Sequence, residues 1–149
     1  MAGKSNYLEN KLIDLIFRGQ AFTPPTLYVG LFTASPDDSG GGTEVSTVGT
    51  NYARAKACAG ASQTLSDWKS TQGDSLSSTG TSGGTSNTIA IVFNTPGATT
   101  WGTITSFGIF DSLSGGQLLY WGPLSANKSV NSGDPAPSFP AGTLQITED

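Results

Sequence analysis

Apolar residues recur along this chain at two periods, and the change from one to the other separates a single helix from a succession of strands. In residues 6–18, Leu8, Leu12, Leu15 and Ile16 fall at spacings of three and four, with Ile13 and Phe17 widening the stripe. That is the period of an amphipathic helix. Asn6 is placed to cap its first turn, and Glu9 three residues on completes a capping-box arrangement. Arg18 suits the negative end of the helix dipole and Gly19 is a natural stop. The polar face carries Asn10, Lys11 and Asp14. A stripe this apolar has to be buried, either on the protein's own sheet or in a neighbouring subunit.

After Thr23, Pro24 and Pro25 the period falls to two. Leu27, Val29 and Leu31 alternate with Tyr28 and Phe32, and Gly30 leaves room for a close neighbour. Residues 34–51 are rich in turn formers, with a short edge strand expected at residues 43–46 before another at 52–56. Ile89, Ile91 and Phe93 share one face of a further strand. The strongest pattern lies in residues 101–124, where two β-rich runs flank a Ser/Gly turn and predict a hairpin with a loop of about five residues. There Thr103, Thr105, Phe107 and Ile109 fall on one face, and Ile104, Ser106, Gly108 and Phe110 on the other. Phe107 and Ile109, or Ile104 and Phe110, are expected to fill the core, leaving the polar tip at 112–116 free to reach a neighbour. Short strands at 126–130 and 143–147 complete the set.

One helix followed by seven or eight short strands predicts an all-β chain, a β-sandwich of jelly-roll or related type preceded by an N-terminal amphipathic helix. A chain of 149 residues reads as a single domain, 1–149, with the helix at 6–18 and the sandwich over 26–149. Residues 70–88 interrupt the pattern. Eleven of the nineteen are Ser or Thr and four are Gly, so the segment has little to bury and is expected to be a long surface loop.

Composition narrows the function. Charged residues are 12% of the chain, against about 25% in ordinary globular proteins, which suits a subunit packed among others. A formal net charge of −4 and scattered cations argue against a nucleic-acid surface. Arg54 and Lys56 are the one close pair, on a strand face with Tyr52 that reads as solvated. No run is long enough to span a membrane, and no secretory signal is visible, so synthesis and retention in the cytoplasm are expected.

Candidate chemistry is sparse. The chain has no His and one Cys, Cys58 in an Ala/Gly run, so catalytic triads and zinc sites lack their parts. Glycoside hydrolysis needs two carboxylates, and Asp111 could pair with another acid for it, but Asp111 ends a strand and begins a turn, the ordinary use of Asp there. Asp37 and Asp38 beside Ser39 lack the alternating register of a calcium loop. Gly40, Gly41 and Gly42 are followed by no Lys-Ser or Lys-Thr and open no helix, unlike a phosphate loop. No catalytic, cofactor-binding or metal residue is therefore assigned, and no cofactor is expected. Tyr120, Trp121, Trp101 and Trp68 are candidates for a stacking platform for a sugar or a partner protein. The candidate interface residues are Leu8, Leu12, Ile16, Arg54, Lys56 and Trp121.

Several stretches resemble small bacteriophage virion proteins of the tail-fibre-like or head-decoration (capsid cement) kind. They are the opening through Leu8 to Leu12; the run from Leu27 through Phe32 to Pro36; Gly42 to Ser46; Tyr52 to Arg54; Trp101 to Asp111 with Gly115, Gly116, Leu118 and Leu119; and Val130 to Asp134 with Phe139 to Gly142. The resemblance implies a non-enzymatic subunit, a homotrimer, located in the virion. A short chain with no fibre repeat and an N-terminal docking helix points to capsid cement on the outside of the head, with the major capsid protein as partner. The alternative is a tail-fibre or tail-tip subunit that contacts host surface glycan through the 70–88 loop and Trp121.

Overall fold

The computed structural model describes residues 3–148, so residues 1–2 and 149 of the expected span lie outside the described residues. The elements in chain order are β1 (Gly3–Lys4), α1 (Asn6–Phe17), β2 (Tyr28–Ala34), β3 (Thr43–Glu44), β4 (Ala55–Lys56), β5 (Gly84–Ser86), β6 (Ile91–Val92), β7 (Gly102–Phe110), β8 (Leu118–Val130), β9 (Ser138–Phe139) and β10 (Gln145–Thr147). The chain is thus all-β with one short N-terminal helix, as the periodicity predicts.

Six strands form one antiparallel sheet in the order β1-β8-β7-β2-β3, with β4 also paired to β2. The opposing layer is two antiparallel ribbons, β5 with β10 and β6 with β9. Val29 pairs with Ile109 and Leu31 with Phe107, so one face of the central strands presents a continuous apolar surface. That face packs against Ile91 and Phe93 beside β9, and Leu144 and Ile146 beside β5, in the larger core cluster. The opposite face holds a smaller cluster of Phe32, Phe110 and Leu118. Gly30 and Gly108 face each other across β2 and β7. A Cβ on Gly108 would sit 2.8 Å from Leu118 and 3.0 Å from Phe32 and Phe110. Its absence lets those two rings stack, with centroids 6.1 Å apart. The central hairpin is therefore covered on both faces near its turn, the condition its sequence pattern implied.

Strict alternation fails at one place. Ile104 joins Phe107 and Ile109 in the larger cluster, although it stands three residues from Phe107. The β7·β8 register shifts between Ile104 and Ser106, and such an irregularity resets which side a residue faces. Both expected pairs are used, Phe107 and Ile109 with Ile104 on one side and Phe110 on the other. The strand expected at 126–130 is the far end of the 13-residue β8.

Three further expectations are corrected. The helix N-cap is Ser5 rather than Asn6: its side chain accepts from the Leu8 amide at 3.3 Å. The 70–88 segment is not all loop, because 84–86 form β5 on β10 and Asn87 bridges to Trp68. Backbone pairing needs no apolar side chains, so composition conceals it. Asn87 is fully buried, and its side chain donates to Ile89 O and Pro140 O and accepts from Leu144 N, at 2.7–2.9 Å. That one residue ties the end of the segment to the C-terminal strand. The strand expected at 52–56 shortens to β4, because only Ala55 and Lys56 pair with β2, opposite Val29 and Tyr28.

Candidate interaction surface

The first turn of α1 is pinned to the sheet. The Ser5 amide donates to Leu119 O at 2.9 Å and the Asn6 amide to Asp38 O at 2.8 Å, while Leu8 is buried. The rest of the helix leaves the body. Leu12 is half-buried, and Ile13, Leu15, Ile16 and Phe17 are 51%, 44%, 68% and 79% exposed. Ile13, Ile16 and Phe17 stand at i, i+3 and i+4, so they share one face. The apolar stripe is therefore divided. Its N-terminal part covers the protein's own sheet and its C-terminal part faces outward. The helix ends at an Arg18 cap, followed by Gly19 at φ 66°, and Arg18 pairs with Asp14 at 3.1 Å.

A second anchor joins the N-terminus to the C-terminus. Lys4 Nζ donates to Glu148 Oε2 at 2.6 Å, and the Tyr120 hydroxyl donates to Glu148 Oε1. Partial burial pushes the Glu148 carboxyl up, but hydrogen bonds from Lys4 and Tyr120 and the Lys4 charge outweigh it and hold the group below its ordinary value. Burial, with Glu148 alongside, pushes the Tyr120 hydroxyl well above its own. Trp121 stands next to this anchor, half-buried and packed on the smaller core cluster. A Cβ on Gly3 would lie 2.9 Å from its indole, so glycine is what admits the strand there. The indole N–H is buried without a hydrogen-bond partner among the described residues.

Arg54 and Lys56 separate. The Arg54 side chain is 9% exposed and grips Glu44 through Nε at 2.9 Å and Nη2 at 2.8 Å. Its Nη1 donates to Ser112 O at 3.0 Å and Gly115 O at 2.7 Å. The solvated-face reading of Arg54 is thus overturned, and so is the expectation of a free hairpin tip, because Arg54 holds that tip. Tyr52 completes the group, donating to Glu44 and accepting from the Leu31 amide, each at 2.8 Å. Burial first, then the Glu44 charge, push its hydroxyl far above its ordinary value. Lys56 is exposed and donates to Gly60 O.

The weak chemical candidates have structural employment. Asp111 accepts from the Gln117 amide at 2.7 Å and closes the hairpin. Asp37 accepts from the Ser39 amide and hydroxyl and the Gly41 amide at 2.6–3.0 Å. Cys58 is buried. Among the described residues no group of three or more His, Cys, Asp or Glu is placed to hold a metal, and no helix is long and apolar enough to cross a membrane. Sequence reasoning missed Ser5, Glu148 and Asn87, each of which has at least one partner remote in the chain. The outward set Ile13, Ile16 and Phe17 was visible as half of the stripe.

A family model described as podophage GP4 fiber I protein gp80 matches residues 3–147. No curated protein matches the chain.

Proposed function

The chain belongs to the podophage GP4 fiber I protein gp80 family, and from that premise we propose that it is a non-enzymatic structural subunit built into the tail-fibre apparatus of a podophage virion. The observation that carries this is the family match itself, over residues 3–147 with fibre in its description. It favours the tail over the capsid surface. The surface that suits assembly is the outward face of α1, where Ile13, Ile16 and Phe17 stand exposed on a helix whose base is fixed to the sheet. Apolar side chains presented together in this way mark interaction sites. The occupant we assign is the same helix of further copies, three around one axis, since a rotationally closed assembly presents an identical stripe from each copy.

Fractionated virions test the location. A few tens of copies, found with tails and lost when tails are removed, is the expected result. Hundreds of copies on emptied heads would overturn it and make the major capsid protein the partner instead.

A further inference from the structure

The β7·β8 register contains a surplus on one side. Ile104 pairs with Lys128 and Ser106 with Pro123, so two steps along β7 face five along β8, a difference of three residues. The surplus lifts part of residues 124–127 out of the ladder, as bulges do where a strand is re-aimed. Between this bulge and the 131–137 turn lies a cavity of about 510 Å³, within the range of about 300–1,000 Å³ common for small-ligand sites.

Its lining has two characters. Phe93 and Ile104 are buried, and Phe139 is half-buried with its ring edge-on to Phe93 and Phe107, centroids 6.2 Å from each. Phe139 is thus braced on two sides. Lys128 and Asp134 supply the charged part of the lining. The Lys128 ammonium has no hydrogen bond or ion pair among the described residues. Asp134 accepts from the Asn131 amide through Oδ2 at 2.7 Å, and its other oxygen has no partner among the described residues.

A ligand for this cavity needs an apolar face for Phe139, acceptors for an ammonium and donors for a carboxylate. An apolar ligand would strip water from Lys128 and Asp134 and give nothing back. A polyanion would meet Asp134 and a chain of net charge −4. A sugar ring meets all three demands, with a C–H face and hydroxyls that both donate and accept. We propose that this cavity is a saccharide site that takes a neutral hexose-type ring, its C–H face on Phe139 and its hydroxyls on Lys128 and Asp134. The proposal rests on the fibre reading only for the source of the sugar, a host-surface glycan. The cavity itself is read by soluble sugars.

The test titrates the isotope-labelled chain with methyl glycosides of glucose, galactose, rhamnose and N-acetylglucosamine, followed by amide resonances. At least one should give saturable shifts confined to residues 124–128, 131–134 and 138–139. Lys128→Met and Asp134→Asn should each weaken that binding about tenfold, the loss of one charge-assisted hydrogen bond, with the unliganded spectrum otherwise preserved. Silence with all four sugars, or shifts that gather elsewhere, overturns the site. Tail location in the virion would survive that result, and a capsid location would leave a positive titration standing.

Discussion

The guanidinium of Arg54 lies 3.3 Å from the ring centroid of Phe110, and this contact joins the two halves of the hairpin end. Phe110 belongs to the smaller core cluster, while the donors of Arg54 reach Glu44 on β3 and the carbonyls of Ser112 and Gly115 in the tip. One side chain thus covers a ring, pairs with a carboxylate and ties down a turn. Lysine would keep the charge and lose the fork. Arg54→Met should cost about 2–4 kcal/mol, below the figure for a dry ion pair because Glu44 is 25% exposed. Arg54→Lys should recover only part of that. Urea denaturation checks both, as a lowered midpoint at unchanged slope.

Phe107→Ala should cost about 3–5 kcal/mol, since the ring is buried in the larger cluster and the rigid sheet around it cannot collapse on the space. The hairpin tip is also part of the fold. Gly116 has φ 69°, and a Cβ there would lie 2.3 Å from Asp111 Oδ1. Gly116→Ala should therefore destabilise by about 1–3 kcal/mol through a strained left-handed residue and a displaced hairpin closure. Thermal unfolding of the two variants should show both lowered, Phe107→Ala by more. A neutral Gly116→Ala would restore the reading of the tip as free to reach a neighbour.

The parts of this structure that local pattern encodes were legible in the sequence, and the rest depend on distant partners. Alternation through Val29 and Leu31 gave the buried central strand, and period-four spacing gave α1. Ile104 was misplaced by alternation because the irregularity that resets it involves surplus residues in β8. Arg54 looked solvated since its partners Glu44, Ser112 and Gly115 are 10, 58 and 61 positions away. Ser5 and Asn6 are both good caps side by side, and composition cannot choose between neighbours. Of the candidate surface, the stripe on α1 was visible, but which half of it faces outward is set by where the sheet stops.

Asp67 should make stability depend on acid. It is buried and accepts from the Ala59 amide at 2.8 Å, the Thr64 amide at 2.7 Å and the Thr64 hydroxyl at 2.8 Å. Burial pushes the carboxyl up, yet these hydrogen bonds and the Lys56 charge together hold it below its ordinary value of 3.8. A depressed folded value means that the contribution is present above 3.8 and lost as pH falls through the folded value. Asp67→Asn should cost about 1–3 kcal/mol near neutrality, as one acceptor becomes a donor facing amides. The same change should flatten the fall in stability between about pH 5 and about pH 2. Urea midpoints across that range test it, and parallel curves for the two proteins would exclude Asp67 as a source of the slope.

The outward face of α1 should separate folding from assembly. Ile16 and Phe17 are 68% and 79% exposed, so replacing either by Ser removes little buried area and should change folding stability by no more than about 0.5 kcal/mol. Leu8, about two helical turns nearer the sheet, is 5% exposed, and Leu8→Ala should cost about 2–4 kcal/mol because it holds the helix base to β8. If three copies meet through this stripe, the double change Ile16→Ser with Phe17→Ser should convert the oligomer to monomer in sedimentation velocity while leaving the thermal transition of the monomer in place. An unchanged oligomer would exclude α1 as the seam. A monomeric parent chain would exclude self-association and direct the stripe to another virion protein, whose capture should then fail for the same double variant.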